Sequence, residues 1–221
     1  MELKQSAFQT PITIGDAVVD VHKKKYLLPA IQREFVWKPE QIIRLFDSLL
    51  RGYPIGSFLF WNVDKDKIKD YQFYEFVRDY HERDCKHNPK ANVTGEDNIT
   101  VILDGQQRLT ALYIALKGTY AYKIPWKQWK NDDAFPKRKF YLNLLSKADD
   151  IALYYRFNFL TDEEASERND KTFWFEVGKI LDFTKEFEVN NYLIKNGLMA
   201  LKPEESQFAN ETLFKLHAVI H

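Results

Sequence analysis

The chain of 221 residues reads as an α+β protein: a small mixed sheet with flanking helices, followed by additional strands and a helical C-terminal region. Three observations predict this. Short apolar or alternating runs interleave with amphipathic helical spacing through the first half. A buried strand over residues 99–103 passes straight into a helical pattern with no linker between them. After Gly178 the pattern turns mainly helical. A composition 45% hydrophobic and 15% aromatic supplies enough apolar surface for a sizeable core, which excludes a disordered chain.

Taken in order, Thr13 is placed to cap a first helix over residues 14–23, with Ile14, Val18 and Val21 on one face. Tyr26-Leu27-Leu28-Pro29 follows as extended chain. Pro39 suits the first turn of a second helix, Ile42, Phe46, Leu49 and Leu50 recur at helical spacing, and Gly52 supplies a left-handed stop. Trp37 and Ile42 stand where a hydrophobic staple would put them. Ser57-Phe58-Leu59-Phe60-Trp61 is too apolar for a wet face and predicts a central strand. Residues 71–77 predict another strand, and residues 81–98 a polar surface loop. Leu109, Leu112, Tyr113 and Leu116 fall at i, i+3, i+4 and i+7, so residues 105–117 form a helix directly after the buried strand. Residues 120–124, 139–144, 153–159 and 172–177 predict further strands. The last segment, 203–221, keeps its helical pattern to the end, which suggests that the natural chain is longer. The division expected is a core over residues 1–124 and a strand and helical extension over 125–221 packed on it.

Lys+Arg and Asp+Glu both total 32, so no global field draws the chain toward nucleic acid or an anionic membrane. One cysteine, Cys85, excludes an internal disulfide and fits a reducing compartment. The N-terminus lacks a basic and apolar leader, and no apolar run is long enough to span a bilayer. A cytoplasmic protein without membrane contact is the expectation.

The chemistry concentrates in Asp104-Gly105-Gln106-Gln107-Arg108-Leu109-Thr110. A strand that ends here and opens a helix brings backbone N–H groups and the positive end of a helix dipole to one point, an anion site suited to phosphate. Gly105 allows close backbone approach, and Arg108 can donate a bidentate pair. Asp104 can hold hydrated Mg²⁺ or accept a proton, while Gln106 and Gln107 can orient a water. A second reading needs no ligand: Asp104 as N-cap with Gln107 three residues on makes a capping box. Upstream, extended alternation in residues 28–37 sets Arg33 beside Ile31, Phe35 and Trp37, a charge that requires a carboxylate such as Asp47 or Asp104, or an anionic ligand. Weaker signals are His81, Cys85 and His87 as metal ligands, the basic runs 23–25 and 137–139 as phosphate contacts, and Trp126, Trp129, Phe173, Trp174 and Phe175 as base-stacking groups. Each also has a plain structural reading, as loop, solvated face or core.

The run LPAIQREFVWKPEQIIRLFDSLLRGYPIGSFLFW, followed about forty residues later by VILDGQQRLTALY, closely resembles the N-terminal domain of GmrSD-type restriction endonucleases, over roughly residues 10 to 120. That family is similar in fold to the ParB and sulfiredoxin superfamily, whose members bind nucleotide through a helix N-terminus. The resemblance implies an NTP-binding and hydrolysing sensor domain of a phage-defence restriction system, with modified or foreign DNA as partner; Mg²⁺, held by Asp104, is the cofactor expected beside the NTP. By the same resemblance Gln32 and Arg33 match an upstream QR motif, and Asp104, Gly105, Gln106, Gln107 and Arg108 match the nucleotide-hydrolysis motif. Nucleotide binding is expected of Gln32, Arg33, Gly105, Gln106 and Arg108, and catalysis of Asp104, Gln107 and Arg108. Family members commonly carry a C-terminal His-Asn-His-type nuclease domain. The five histidines here show no such arrangement, so cleavage is expected outside this chain or in a partner. A non-catalytic module that binds nucleotide or DNA phosphate is the alternative.

Overall fold

The computed structural model describes residues 10–31 and 34–221. Its elements in chain order are α1 (Ile14–His22), β1 (Tyr26–Pro29), α2 (Pro39–Leu50), β2 (Leu59–Asp64), α3 (Lys65–Ile68), β3 (Phe73–Tyr74), β4 (Asp79–His81), β5 (Asn98–Asp104), α4 (Gln106–Lys117), β6 (Thr119–Ala121), β7 (Lys139–Lys147), β8 (Tyr155–Leu160), α5 (Asp162–Ser166), β9 (Trp174–Glu176), α6 (Glu186–Lys195) and α7 (Pro203–Ile220). Among the described residues the strands form a four-stranded sheet in the order β2-β5-β1-β3, a β4-β6 pair, and a three-stranded sheet in the order β8-β7-β9. The first sheet is mixed: β1 runs parallel to β5, with Tyr26 opposite Thr100, and the other pairings are antiparallel. The architecture is therefore the α+β arrangement expected, with helices at the C-terminal end.

Local chemistry sets several boundaries. The Thr13 hydroxyl accepts the Asp16 N–H at 3.0 Å and starts α1. Pro39 stands at the first position of α2, where its missing N–H is no loss, and Gly52 leaves the helix with a φ of 79°.

One strand departs from expectation. The apolar run at 57–61 does not form a central strand; β2 begins at Leu59, pairs only with β5, and lies at the edge of its sheet, with Leu59 56% exposed. The apolar side chains of this edge strand are instead partly sheltered on its two faces, while Leu59, Asn62 and Asp64 are exposed. Phe60 packs against the main core, while Trp61 and Val63 join a second cluster with Leu27, Ile68, Phe73, Ile99 and Val101. Apolar sequence reports covered faces and carries no information about neighbours in the hydrogen-bonding direction. The strand expected over 71–77 is likewise short. Phe76 and Val77 are buried without belonging to a ladder.

The main core is one continuous cluster running from Val18 in α1 to Ile220 in α7. Helix α2 ties it together. Phe46 is fully buried, its ring 4.9 Å from Phe140 and 5.8 Å from Phe157, and those two stack at 5.1 Å. The next residue, Asp47, is 2% exposed and accepts the backbone N–H groups of Tyr154 and Tyr155 at 2.8 Å each on Oδ1. Its Oδ2 accepts from Arg51 Nη1 at 3.3 Å. A carboxylate so enclosed is stable because every lone pair it offers inward is taken by a donor. Asp47→Ala should therefore lower the unfolding free energy by roughly 2–4 kcal/mol, since it strands two donors at the start of β8. Asp47→Asn should cost less. Urea unfolding checks both, as a fall in midpoint with unchanged slope.

Candidate functional site

Strand β5 delivers Asp104 to the mouth of a cleft, with its side chain 73% exposed. Gly105 turns the chain with a φ of 89°, in the left-handed region, and a Cβ there would run into the Phe58 ring. Helix α4 then begins at Gln106. Its N-cap is Gly105, and no side chain caps it. The capping box expected of Asp104 and Gln107 is thus absent, because the left-handed turn moves the cap one residue along and directs Asp104 outward. The Asp104 carboxylate faces Arg108 at 3.7 Å.

Two of the three long polar side chains of the first turn, Gln107 and Arg108, reach sideways into loops. Gln107 accepts the Val36 N–H at 3.0 Å on Oε1 and donates from Nε2 to the Glu34 carbonyl at 2.9 Å. Arg108 donates to the carbonyls of Ile55 and of Ser57, the latter at 2.8 Å, and its guanidinium lies 4.8 Å from the centre of the Phe58 ring. Gly56 makes room for it: a Cβ there would stand 2.7 Å from Arg108 Nη1. One residue thus holds the segment before α2 and the other the segment after it. Gln107 and Arg108 are legible in the sequence, whereas their partners are main-chain groups and leave no mark in side-chain identity. Gly56 was the one available signal.

Ile31, Trp37, Asp104, Gly105, Gln106, Gln107 and Arg108 line a cleft of about 480 Å³. Five of these belong to the Asp104–Arg108 motif, and Ile31 and Trp37 form an apolar wall. Gln32 and Arg33, the upstream pair, lie outside the described residues. Around them the chain is fastened on both sides: the Ala30 N–H bonds the Gln72 carbonyl at 3.0 Å, and Glu34 pairs with His87. Phe35 is 3% exposed while Ile31 is 87% exposed, so these two do not share a buried face. The Tyr120 hydroxyl donates to the Trp37 carbonyl at 2.9 Å. Burial pushes the Tyr120 phenol well above its ordinary range, which keeps it a donor. Asp47 is taken up by Arg51 and the start of β8.

Several of the other candidates have structural partners. His81 accepts the N–H groups of Arg83 and Asp84, and His87 is paired with Glu34. Among the described residues no group of three or more His, Cys, Asp or Glu is placed to hold a metal ion. Lys24 and Lys25 pair with Glu75 and Asp20 at 2.7 Å each. Arg138 is buried against the Tyr122 and Pro136 carbonyls, and Lys139 pairs with Asp162 at 3.2 Å. Lys23–Lys25 do border a larger hollow, of about 620 Å³, but Asp64, Glu75 and Glu96 share it and no residue of either motif does. Phe173 and Phe175 belong to the core, whereas Trp126 is fully exposed. No helix among the described residues is long and apolar enough to cross a membrane.

The Gly105 turn can be tested against a second left-handed glycine. Gly52→Ala, where φ is 79° and nothing lies within 4 Å of the added carbon, should cost only the backbone term, roughly 1–3 kcal/mol. Gly105→Ala carries the same term and a collision with Phe58, so its melting temperature should fall further than that of Gly52→Ala. Equal losses in thermal melts would show that the Phe58 contact does not matter.

Two comparisons place this geometry among known proteins. The chain is 34% identical over 122 residues to an uncharacterized protein of Methanocaldococcus jannaschii, an alignment covering 53% of this chain and 19% of that protein. The chain thus spans about a fifth of the length of this curated relative. The family profile of the GmrSD restriction endonuclease N-terminal domain matches residues 14–215, from the start of α1 into α7, and includes both motifs and the whole cleft. The chain belongs to the GmrSD restriction endonuclease N-terminal domain family.

Proposed function

We propose that this chain is the nucleotide-binding and hydrolysing regulatory part of a DNA restriction system, and that the nucleotide occupies the cleft between Trp37 and the start of α4. The observation that carries the reading is the convergence, in one cleft of a restriction-endonuclease family domain, of an uncapped helix N-terminus, an exposed carboxylate and an apolar wall. Backbone N–H groups at a helix start favour phosphate. The base and sugar would lie against Trp37 and Ile31, with the phosphates toward Gly105. Gln32 and Arg33 join the site in this reading as the upstream nucleotide ligands.

The donor set also fits Mg²⁺ in the form in which nucleotides bring it. Mg²⁺ keeps several waters and takes one or two carboxylates beside the substrate phosphates. Asp104 supplies one such exposed carboxylate and would hold the ion, whose contribution when bound is to offset phosphate charge. Arg108 keeps Asp104 in place through their 3.7 Å contact and steadies the turn at 55–57. DNA recognition and cleavage are assigned to other parts of the full-length protein or to a partner nuclease.

A second reading, a non-catalytic module that binds nucleotide or DNA phosphate and changes conformation, draws on one observation: Gln107 and Arg108 both spend hydrogen bonds on main chain. Calorimetry with NTP and Mg²⁺, and phosphate release with and without modified DNA, separate the two. Binding with release supports hydrolysis, and binding without release supports the module. Absence of both would remove the nucleotide from the account. Asp104→Asn should change stability by no more than about 1 kcal/mol, because the side chain is exposed. It should nonetheless lower Mg²⁺-dependent phosphate release at least about tenfold if Asp104 holds the ion.

A further inference from the structure

Gln107 is nine-tenths buried, yet its carboxamide is aimed at the main chain of a segment more than seventy positions away in sequence. It meets that segment on both of its polar groups: Oε1 takes the Val36 N–H and Nε2 gives to the Glu34 carbonyl. This is the hydrogen-bonding pattern that a neighbouring β-strand would offer, supplied by one side chain. A carboxylate could not do this at neutral pH, having no donor, nor could an ammonium, having no acceptor. Glu34 and Val36 stand directly after the upstream QR pair in the chain, and Gln107 belongs to the downstream motif.

We infer that Gln107 is a positioning residue: its carboxamide fixes the main chain of residues 34–36 against the first turn of α4 and so sets how the upstream motif meets the cleft. Its consequence for hydrolysis rests on the function proposed above; the clamp itself does not. By reciprocity, a ligand that bridges the two motifs should strengthen the clamp as the clamp strengthens ligand binding. The amide retains one N–H and one lone pair, so a direct role in orienting water predicts a different pattern of effects, and the two can be separated.

The direct readout is the protection of the Val36 amide from hydrogen exchange, which requires no nucleotide. In the unmodified protein the Val36 N–H should be protected and the Gln107 side-chain NH₂ slowed; an unprotected Val36 amide would overturn the proposal without any variant being made. Gln107→Ala should lower Val36 protection about two- to tenfold, the effect of one net hydrogen bond. Gln107→Glu gives a sharper test. Ionised, it repels the Glu34 carbonyl; protonated, its O–H donates and its C=O accepts, as the amide does. Val36 protection in Gln107→Glu, corrected for intrinsic exchange, should therefore be low at neutral pH and recover as pH falls through the carboxylate range. The protein with Gln107 intact serves as control for the groups that face this position, Asp104 and Arg108 on its own turn and Glu34 with His87 across from it. A pH-independent loss in Gln107→Glu would overturn the clamp. With NTP and Mg²⁺, the clamp predicts that Gln107→Ala raises KM several-fold more than it lowers kcat. A fall in kcat alone with Val36 protection intact would make Gln107 a water-orienting group and also refute the inference. If no hydrolysis is found, the exchange experiment still decides the clamp.

Discussion

Burial of helix α4 is the constraint on which the rest of this structure depends. From Gln106 to Leu116 nearly every residue of the helix is enclosed, so any polar side chain in its first turn must find a partner inside the protein. Gln107 and Arg108 find theirs in backbone groups of the loops before and after α2. What a motif reader sees as a row of reactive residues is, in the first instance, the means by which a buried helix satisfies its own entry.

The same constraint explains why the turn into α4 has the shape it does. A capped start would place a side chain over the first N–H groups. Here Gly105, in a left-handed conformation and pressed against Phe58, leaves that end of the helix without a side-chain cap and turns Asp104 out to solvent. Helix α2, held at both flanks by the first turn of α4, in turn carries Phe46 and Asp47 into the second sheet. A short sequence of contacts thus runs from the cleft, through the flanks of α2, to β8.

Much of this was legible in the residues. The Thr13 cap, Pro39 at the start of α2, the left-handed Gly52 and the abrupt passage from β5 to α4 all depend on local chemistry, and local chemistry is what a sequence states directly. The rank of β2 in its sheet was not legible, because apolar side chains report contacts on a strand's faces and not its neighbours in the hydrogen-bonding direction. Nor was the absence of a capping box, since a left-handed residue between Asp104 and the helix shifts the cap without altering the pattern. For the candidate site, the sequence named the cleft's motif and its two polar side chains but was silent on Glu34, Val36, Ile55 and Ser57, which take part through groups every residue possesses.

Main-chain partners of this kind change what a substitution in this family removes. Alanine at 107 or 108 removes a brace from the main chain on one side of α2 as surely as it removes a polar group from the cleft. Loss of restriction in such a variant is therefore ambiguous between damaged chemistry and a displaced loop. Asp104, exposed and held by a single long contact to Arg108, carries less of this ambiguity. An assay that scores only loss of function would rank all three positions alike, although physically they are different kinds of residue.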